Sequence, residues 1–202
     1  RASGFVSAGN TGAAMAASVG FLGRMEGLHR PAIAAYVPRI DGSFSIILDV
    51  GANVDSPPEH LQQFAVLGEE YAKFLFNTDR PRVGLLSTGE ERGKGNETTK
   101  AAFELLEAMP IDFIGNVEGR DLFTGRADVI VCDGFVGNIA LKVSEGLAET
   151  LMKLIKKNLL KNTMRRMGAL LSRGAFRDMQ KITDYSEYGG CPLLGVNGVC
   201  II

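Results

Sequence analysis

Thirteen residues, Ser87 to Thr99, read STGEERGKGNETT and follow the short apolar run VGLL. Glycines, Lys94 and Asn96 at the mouth of a strand suit a phosphate cradle, yet Glu90 and Glu91 in the same loop would repel an anion. Four other short apolar runs end in similar stretches: SAGNTG (7–12), DVGAN (49–53), GNVEGRD (115–121) and CDGFVGN (132–138). Every one contains glycine and asparagine, and each adds a hydroxyl, a carboxylate or a cation. A bare ammonium among asparagine amides and backbone N–H groups at helix starts can hold a small inorganic anion. The same donors can stabilise an oxyanion developing on a carbonyl. Neighbouring carboxylates can orient the lysine or accept a hydrogen bond from a protonated phosphate. That is chemistry for phosphate meeting an acyl group, and it requires no nucleotide, metal, cofactor or covalent enzyme intermediate.

Other chemistries fit poorly. The dinucleotide pattern G-x-G-x-x-G fails because Thr98 stands in the third glycine's place, and the Walker pattern fails because Gly95 follows Lys94 where a hydroxyl belongs. No G-x-S-x-G elbow is present. Cys132 lies inside the apolar run DVIVCD without a nearby histidine, so it reads as a core residue. Cys132, Cys191 and Cys200 form no C-x-x-C, which argues against zinc or a disulfide framework and fits a reducing compartment. His29 and His60 are far apart in sequence, which disfavours a histidine-centred metal site.

The elements that must carry these loops alternate. GFVSA, PAIAAYVPR, FSIILDV, RVGLLS, IDFIGNV, DVIVCD and GVCII read as strands, the second and third joined by the turn IDGS. AAMAASVGFLGRM, PEHLQQFAVLGEEYAKFLF, ETTKAAFELLEAM and the long IALKVSEGLAETLMKLIKKNLLKN read as helices, with Pro57 and Pro58 suited to a first turn. Non-alternating apolar strands between helices predict an α/β fold, a largely parallel sheet covered on both sides. Ligands in such sheets gather at the carboxyl ends of the strands, which places all five polar loops on one rim. The 202 residues, 46% of them hydrophobic, suffice for one such body. An apolar strand at the C-terminus and an abrupt start lead us to expect further sequence on both sides. No run is long enough to span a bilayer, and no signal peptide is seen.

Charge is segregated. Residues 151–182 carry nine of the 22 lysines and arginines but one of the 23 acids, Asp178. This divides the chain into an α/β body (1–150), a basic amphipathic helical segment (151–182) and a return to the body (183–202). Within the basic segment, Met167, Leu170, Leu171 and Phe176 flank glycines and arginines near the tip of an expected helical hairpin. That pattern suits shallow insertion into an anionic membrane surface. An acidic protein partner would attract the same cations.

Together SAGNTGA, DVGAN, GEERGKGNE, GNVEGRD, ADVIVCDGFVGNIALK and YGGCPLLGVNG resemble, in order and without obvious gaps, the bacterial phosphate acyltransferases of phospholipid synthesis, the PlsX family. The resemblance runs from about residue 5 to the end. It implies a three-layer α/β/α, Rossmann-like fold related to phosphotransacetylase and isocitrate-dehydrogenase types. It implies conversion of an acyl-carrier-protein thioester and inorganic phosphate to acyl phosphate and free carrier protein. It also implies a cytoplasmic homodimer peripherally associated with the membrane, with no cofactor and no nucleic-acid partner. The family's N-terminal portion and C-terminal tail are absent, and Cys191 replaces a smaller or hydroxyl residue. Carried over, Lys94 holds phosphate or polarises the thioester carbonyl, and Asn138 donates to the oxyanion. Asn96, Glu118 and Asp133 orient Lys94 or take the proton from hydrogen phosphate. Ser7, Asn10, Thr11, Asp49, Asn53, Ser87 and Arg120 line the phosphate and substrate pocket. A phosphotransacetylase, an isocitrate-type dehydrogenase and a non-catalytic membrane adaptor are the rival readings.

Overall fold

Three of the predicted apolar strands form the middle of a six-stranded sheet in the computed structural model, which describes residues 4–183 and 190–202. They are β3 (Phe44–Leu48), β4 (Arg82–Leu86) and β6 (Val129–Val131). With β2 (Ala32–Pro38), β5 (Asp112–Val117) and β7 (Leu193–Leu194) they give the order β5-β4-β6-β3-β2-β7. β5, β4, β6 and β3 are parallel to one another, whereas β2 runs antiparallel to β3 and β7 antiparallel to β2.

Successive strand residues point to opposite faces, and here both faces are covered, which is why these runs are apolar throughout. On one face Ile46, Leu48, Val83, Leu85, Val129 and Val131 meet Leu61 and Phe64 of α2 (Pro58–Phe76) and Phe103 and Leu106 of α3 (Glu97–Glu107). On the other, Ile47, Val37 and Ile130 meet Met15 and Leu22 of α1 (Thr11–Leu22). Leu122 of a 3₁₀ turn (Gly119–Phe123) and Ala140 and Leu141 of α4 (Gly134–Leu159) join them there. The IDGS turn closes the β2–β3 hairpin, with Arg39 N–H donating to the Ser43 carbonyl at 2.8 Å. Pro58 opens α2 as its neighbour Pro57 caps it.

The pattern differs from expectation at the ends. β1 (Gly4–Val6) does not enter the large sheet; it pairs in parallel with β8 (Val199–Ile201) as a separate two-stranded sheet. Each is three residues long, and their Phe5 and Cys200 pack against the second core cluster. α4 crosses residue 150 without a break, so the body and the basic segment share one helix; α5 (Thr163–Leu171) and α6 (Arg173–Thr183) then complete the segment. The expected return at 183–202 falls partly on residues 184–189, including Tyr188 and Gly189 of YGGCPLLGVNG, which lie outside the described residues.

The end of the sheet remote from the polar rim is tied by Asp128. It accepts from Arg82 N at 2.8 Å, Arg82 Nε at 3.0 Å, Arg82 Nη2 at 2.9 Å and Arg39 Nη2 at 2.9 Å. Burial works against its charge, but the bonds from Arg82 and Arg39 outweigh that and hold its carboxyl below the usual carboxylate range. A depressed carboxylate contributes stability above its unfolded pKa, about 3.9, and loses it as pH falls through the lower folded value. Asp128→Asn is therefore expected to cost about 3 kcal/mol near neutral pH and less below pH 4. Urea unfolding at both pH values checks this.

Candidate active site

The carboxyl ends of β5, β4, β6 and β3 lie side by side, about 4.8 Å from strand to strand. Ser87 N donates to Val117 O at 2.8 Å, Cys132 N to Leu48 O at 2.6 Å, and Asp49 N to Cys132 O at 3.0 Å. The loops beginning at Asp49, Ser87, Glu118 and Asp133 thus share one rim. The fifth loop, Ser7–Gly12, follows β1 in the small sheet. Ser7 N donates to Ile201 O, Ser7 Oγ pairs with Gly9, and Asn10 Oδ1 accepts from Ala13 N at 3.2 Å, capping α1 just ahead of Thr11. Four of the five predicted loops are brought together by the main sheet; the bonds described for the fifth stay within its loop, α1 and β8.

Asp49 and Asn53 shape the first rim loop from within. Asp49 accepts from Ile33 N at 2.8 Å, Ala52 N at 3.2 Å, Asn53 N at 2.6 Å and Asn53 Nδ2 at 3.0 Å. Asn53 Nδ2 also donates to Pro31 O at 2.8 Å. Burial pushes the Asp49 carboxyl up, and the donated N–H bonds from Ile33, Asn53 and Ala52 partly offset this. With both oxygens spent on the loop and no exposed surface, Asp49 braces the rim rather than facing a ligand. α4 docks directly on this loop because Gly134 and Gly137 carry no side chain: a Cβ on Gly137 would overlap the Asp49 carbonyl and sit 2.8 Å from Cys132 Sγ. Asn138 is left exposed beside Gly51, whose φ is +112° and where an added Cβ would sit 3.5 Å from the Asn138 amide carbon. Its amide has no hydrogen-bond partner among the described residues.

Two polar residues expected to orient Lys94 act instead as helix caps. Asn96 Oδ1 accepts from Thr99 N at 2.8 Å at the start of α3. Asp133 Oδ1 accepts from Phe135 N at 2.9 Å, while its Oδ2 takes Ser56 N at 2.7 Å. Neither bond involves Lys94. Short polar side chains at these positions satisfy the orphan N–H groups of a first turn.

One acid of the Lys94 loop, Glu90, is answered by arginine. Arg120 and Arg126 pair with Glu90 at 3.2 and 2.9 Å, and Arg120 also pairs with Glu118 at 3.0 Å. Arg92 turns away to Glu104 and Glu107. Glu91 uses its carbonyl, accepting from Lys94 N and Asn116 Nδ2, each at 2.9 Å. The Lys94 stem lies over Gly89, and its ammonium is exposed with no carboxylate partner among the described residues. Beneath Gly95 the Ser87 hydroxyl is buried without a hydrogen-bond partner, as is Asn116 Oδ1. Arg126 and Asn116 were not singled out from the sequence, although Asn116 stands in the GNVEGRD loop; a loop acid beside an anion site demands a compensating cation, which is the signal for Arg126.

Two other expectations meet the structure directly. Cys132 is a core residue: burial, then the Asp49 and Asp133 charges, push its thiol well above the ordinary range, so it is no nucleophile at neutral pH. His29 and His60, distant in sequence, are neighbours, with ring centroids 5.6 Å apart. Burial, with the charges of His29 and Arg30, lowers the His60 imidazole. Among the described residues no cluster of His, Cys, Asp or Glu is placed to hold a metal, and no helix is long and apolar enough to cross a membrane.

In the basic segment Met167, Leu170 and Leu171 are exposed on α5, Leu171 by 87%. Phe176, on α6, is half-buried and lines a groove together with Met152, Ile155 and Leu159 of α4, edged by Lys156, Arg173 and Arg177.

A sequence model of the family described as fatty acid synthesis protein matches residues 1–202. A phosphate acyltransferase of Acidobacterium capsulatum is 55% identical over 202 residues, covering all of this chain and 60% of the relative. One of Citrifermentans bemidjiense is 56% identical over 197 residues, 98% of this chain and 56% of the relative. The chain therefore spans less than two thirds of the length of these curated relatives. Among solved structures, the EutD phosphotransacetylase of Staphylococcus aureus matches with a TM-score of 0.56 at 20% identity, over 73% of this chain and 52% of that one. A phosphotransacetylase of Streptococcus pyogenes gives 0.57 at 19%, over 73% and 51%. These two likenesses are of fold.

Proposed function

Because the chain belongs to the fatty acid synthesis protein family, we propose that its rim transfers an acyl group from an acyl-carrier-protein thioester to inorganic phosphate. The observation that carries this reading is Lys94, an exposed ammonium without a carboxylate partner, in a loop whose Glu90 is neutralised by Arg120 and Arg126. A phosphate arriving there meets the Lys94 charge and less repulsion than the sequence suggested, since Glu91 is left as the loop acid without a cation among the described residues. A phosphate oxygen attacks the thioester carbon, the C–O bond forms, and the carbonyl oxygen becomes an oxyanion. Lys94 and the Asn138 amide are the donors for that charge, joined by free N–H groups at the starts of α3 and α4. The C–S bond then breaks, and the proton of hydrogen phosphate passes to the departing thiolate, giving acyl phosphate and free carrier thiol. Holding both reactants at one rim supplies much of the acceleration. Asp49, Asn53, Asn96 and Asp133 keep the loops in shape, and Ser87 has a buried hydroxyl available to a bound oxyanion. Ser7, Asn10, Thr11, Arg120 and Glu118 belong to the proposed pocket on the strength of the resemblance. The test is mass detection of acyl phosphate after mixing the protein with phosphate and an acyl-carrier thioester; free fatty acid without acyl phosphate would indicate a hydrolase instead.

Peripheral membrane binding is part of the same proposal, supported by exposed Met167, Leu170 and Leu171 among the cations of α5. Replacing both leucines by serine is expected to reduce flotation with anionic liposomes at least tenfold while carrier-protein binding persists. Loss of carrier binding with flotation intact would reassign α5 to the carrier. The exposed apolar row Val136, Ile139, Val143, Leu147, Leu151 and Leu154 on α4 supports a homodimer.

A further inference from the structure

α4 docks on the rim through the buried Gly134 and Gly137. Further along, between α4, the β2–β3 hairpin and the 3₁₀ turn, lies a cavity of about 500 Å³. Its walls are Val37, Ile47, Leu122, Leu141 and the small Ala140 and Ala148. The polar side chains around it are already satisfied by the protein. Arg39 is held by Asp128, Ser45 and the Ala127 carbonyl; Tyr36 OH pairs with Tyr71 OH; Thr124 Oγ1 donates to Asp121 O at 3.2 Å. Ser144 Oγ donates to Ala140 O at 2.7 Å, and Glu145 pairs with Lys142 at 2.9 Å. A site with this volume and no unmet polar demand suits an uncharged aliphatic ligand.

We propose that this cavity receives the hydrocarbon chain of the acyl donor, with Ala148 limiting its length. The inference rests on the acyltransferase reading and extends it from the reacting carbonyl to the chain. Its geometric basis is continuity: Asn138 stands at the rim end of α4, and Leu141, Ser144, Glu145 and Ala148 follow along the helix as the cavity roof. The ten residue steps from Asn138 to Ala148 cover about 15 Å. A carbonyl held at the rim therefore has an apolar run ahead of it, on the same helix that supplies its amide donor. The alanines leave the space that a larger side chain would fill.

Two measurements on the protein test this. First, kcat/KM for acyl-phosphate formation is compared between 16-carbon and 4-carbon carrier thioesters for wild type and Ala148→Phe. Each methylene excluded from an apolar site costs roughly fourfold, so the ratio favouring the long chain is expected to fall about tenfold or more. An unchanged ratio overturns the proposal. Second, a 16-carbon fatty acid carrying a diazirine near its methyl end is photo-crosslinked to wild type. Label on Leu122–Thr124 or on 140–148 supports the cavity; label confined elsewhere overturns it, as does unlabelled protein whose cavity is closed by a second copy in sedimentation analysis. If wild type makes no acyl phosphate from either donor, the acyltransferase reading fails, and the crosslink alone decides the cavity. It also decides if Ala148→Phe does not fold.

Discussion

Lys94→Ala lowers acyl-phosphate formation by about a hundredfold or more, with the far-ultraviolet spectrum and melting temperature unchanged: this is the expected result if the rim works as proposed. Removing one donor to a developing oxyanion costs roughly a hundred- to a thousandfold in comparable sites. The fold is spared because the Lys94 ammonium holds no described ion pair, and only its stem lies over Gly89. The backbone bond from Lys94 N to Glu91 O, at 2.9 Å, survives the change. Lys100, nearby on α3, pairs with Glu97 at 3.4 Å and serves as the control; Lys100→Ala is expected to stay within about twofold, since an exposed pair is worth little. Lys94→Arg should recover only part of the loss, because a planar fork does not replace a compact point charge between two glycines. Steady-state rates with phosphate varied separate a binding defect from a chemical one. Near-normal turnover of the alanine variant removes Lys94 from the mechanism.

Gly137→Ala is the second large effect, and here the fold itself should yield. The new methyl would overlap the Asp49 carbonyl and approach Cys132 Sγ to 2.8 Å. Both are held by the strand-end bonds between β3 and β6, so they cannot retreat cheaply. α4 must lift instead, carrying Asn138 away from Gly51. A loss of about 3 kcal/mol is expected, at the upper end for overpacking because the clash is with backbone, together with a steep drop in turnover. Gly146, nine residues along the same helix, has nothing within 4 Å of an added methyl. Gly146→Ala should stabilise by about 0.5–1 kcal/mol. Thermal melts of the pair therefore distinguish the tight end of α4 from helix propensity in general.

The parallel centre of the sheet was legible because burial on two faces writes itself as unbroken apolar runs, as in Phe44–Leu48 and Val129–Val131. Pro57 and Pro58 announced α2 through first-turn chemistry. The small β1–β8 sheet was not legible: three-residue strands carry too little pattern to reveal which partner they choose, and their pairing spans nearly the whole chain. In the site, the gathering of loops could be read from composition. The division of labour inside it could not, since asparagine and aspartate serve equally as ligands and as caps. Only the fold distinguishes Asp133, spent on Phe135 and Ser56, from Asn138, whose amide is unengaged among the described residues. The meeting of Glu90 with Arg126 likewise crosses from one loop to another, a contact that sequence spacing does not encode.

α4 runs unbroken through 26 residues, which makes it a strut of about 39 Å. One end is clamped to the polar rim by two glycines; the other carries the basic helices α5 and α6. Any surface that seizes α5 and α6 is thereby kept at a fixed standoff from the polar rim, and shortening the strut by whole turns would move the rim relative to that surface without altering either end.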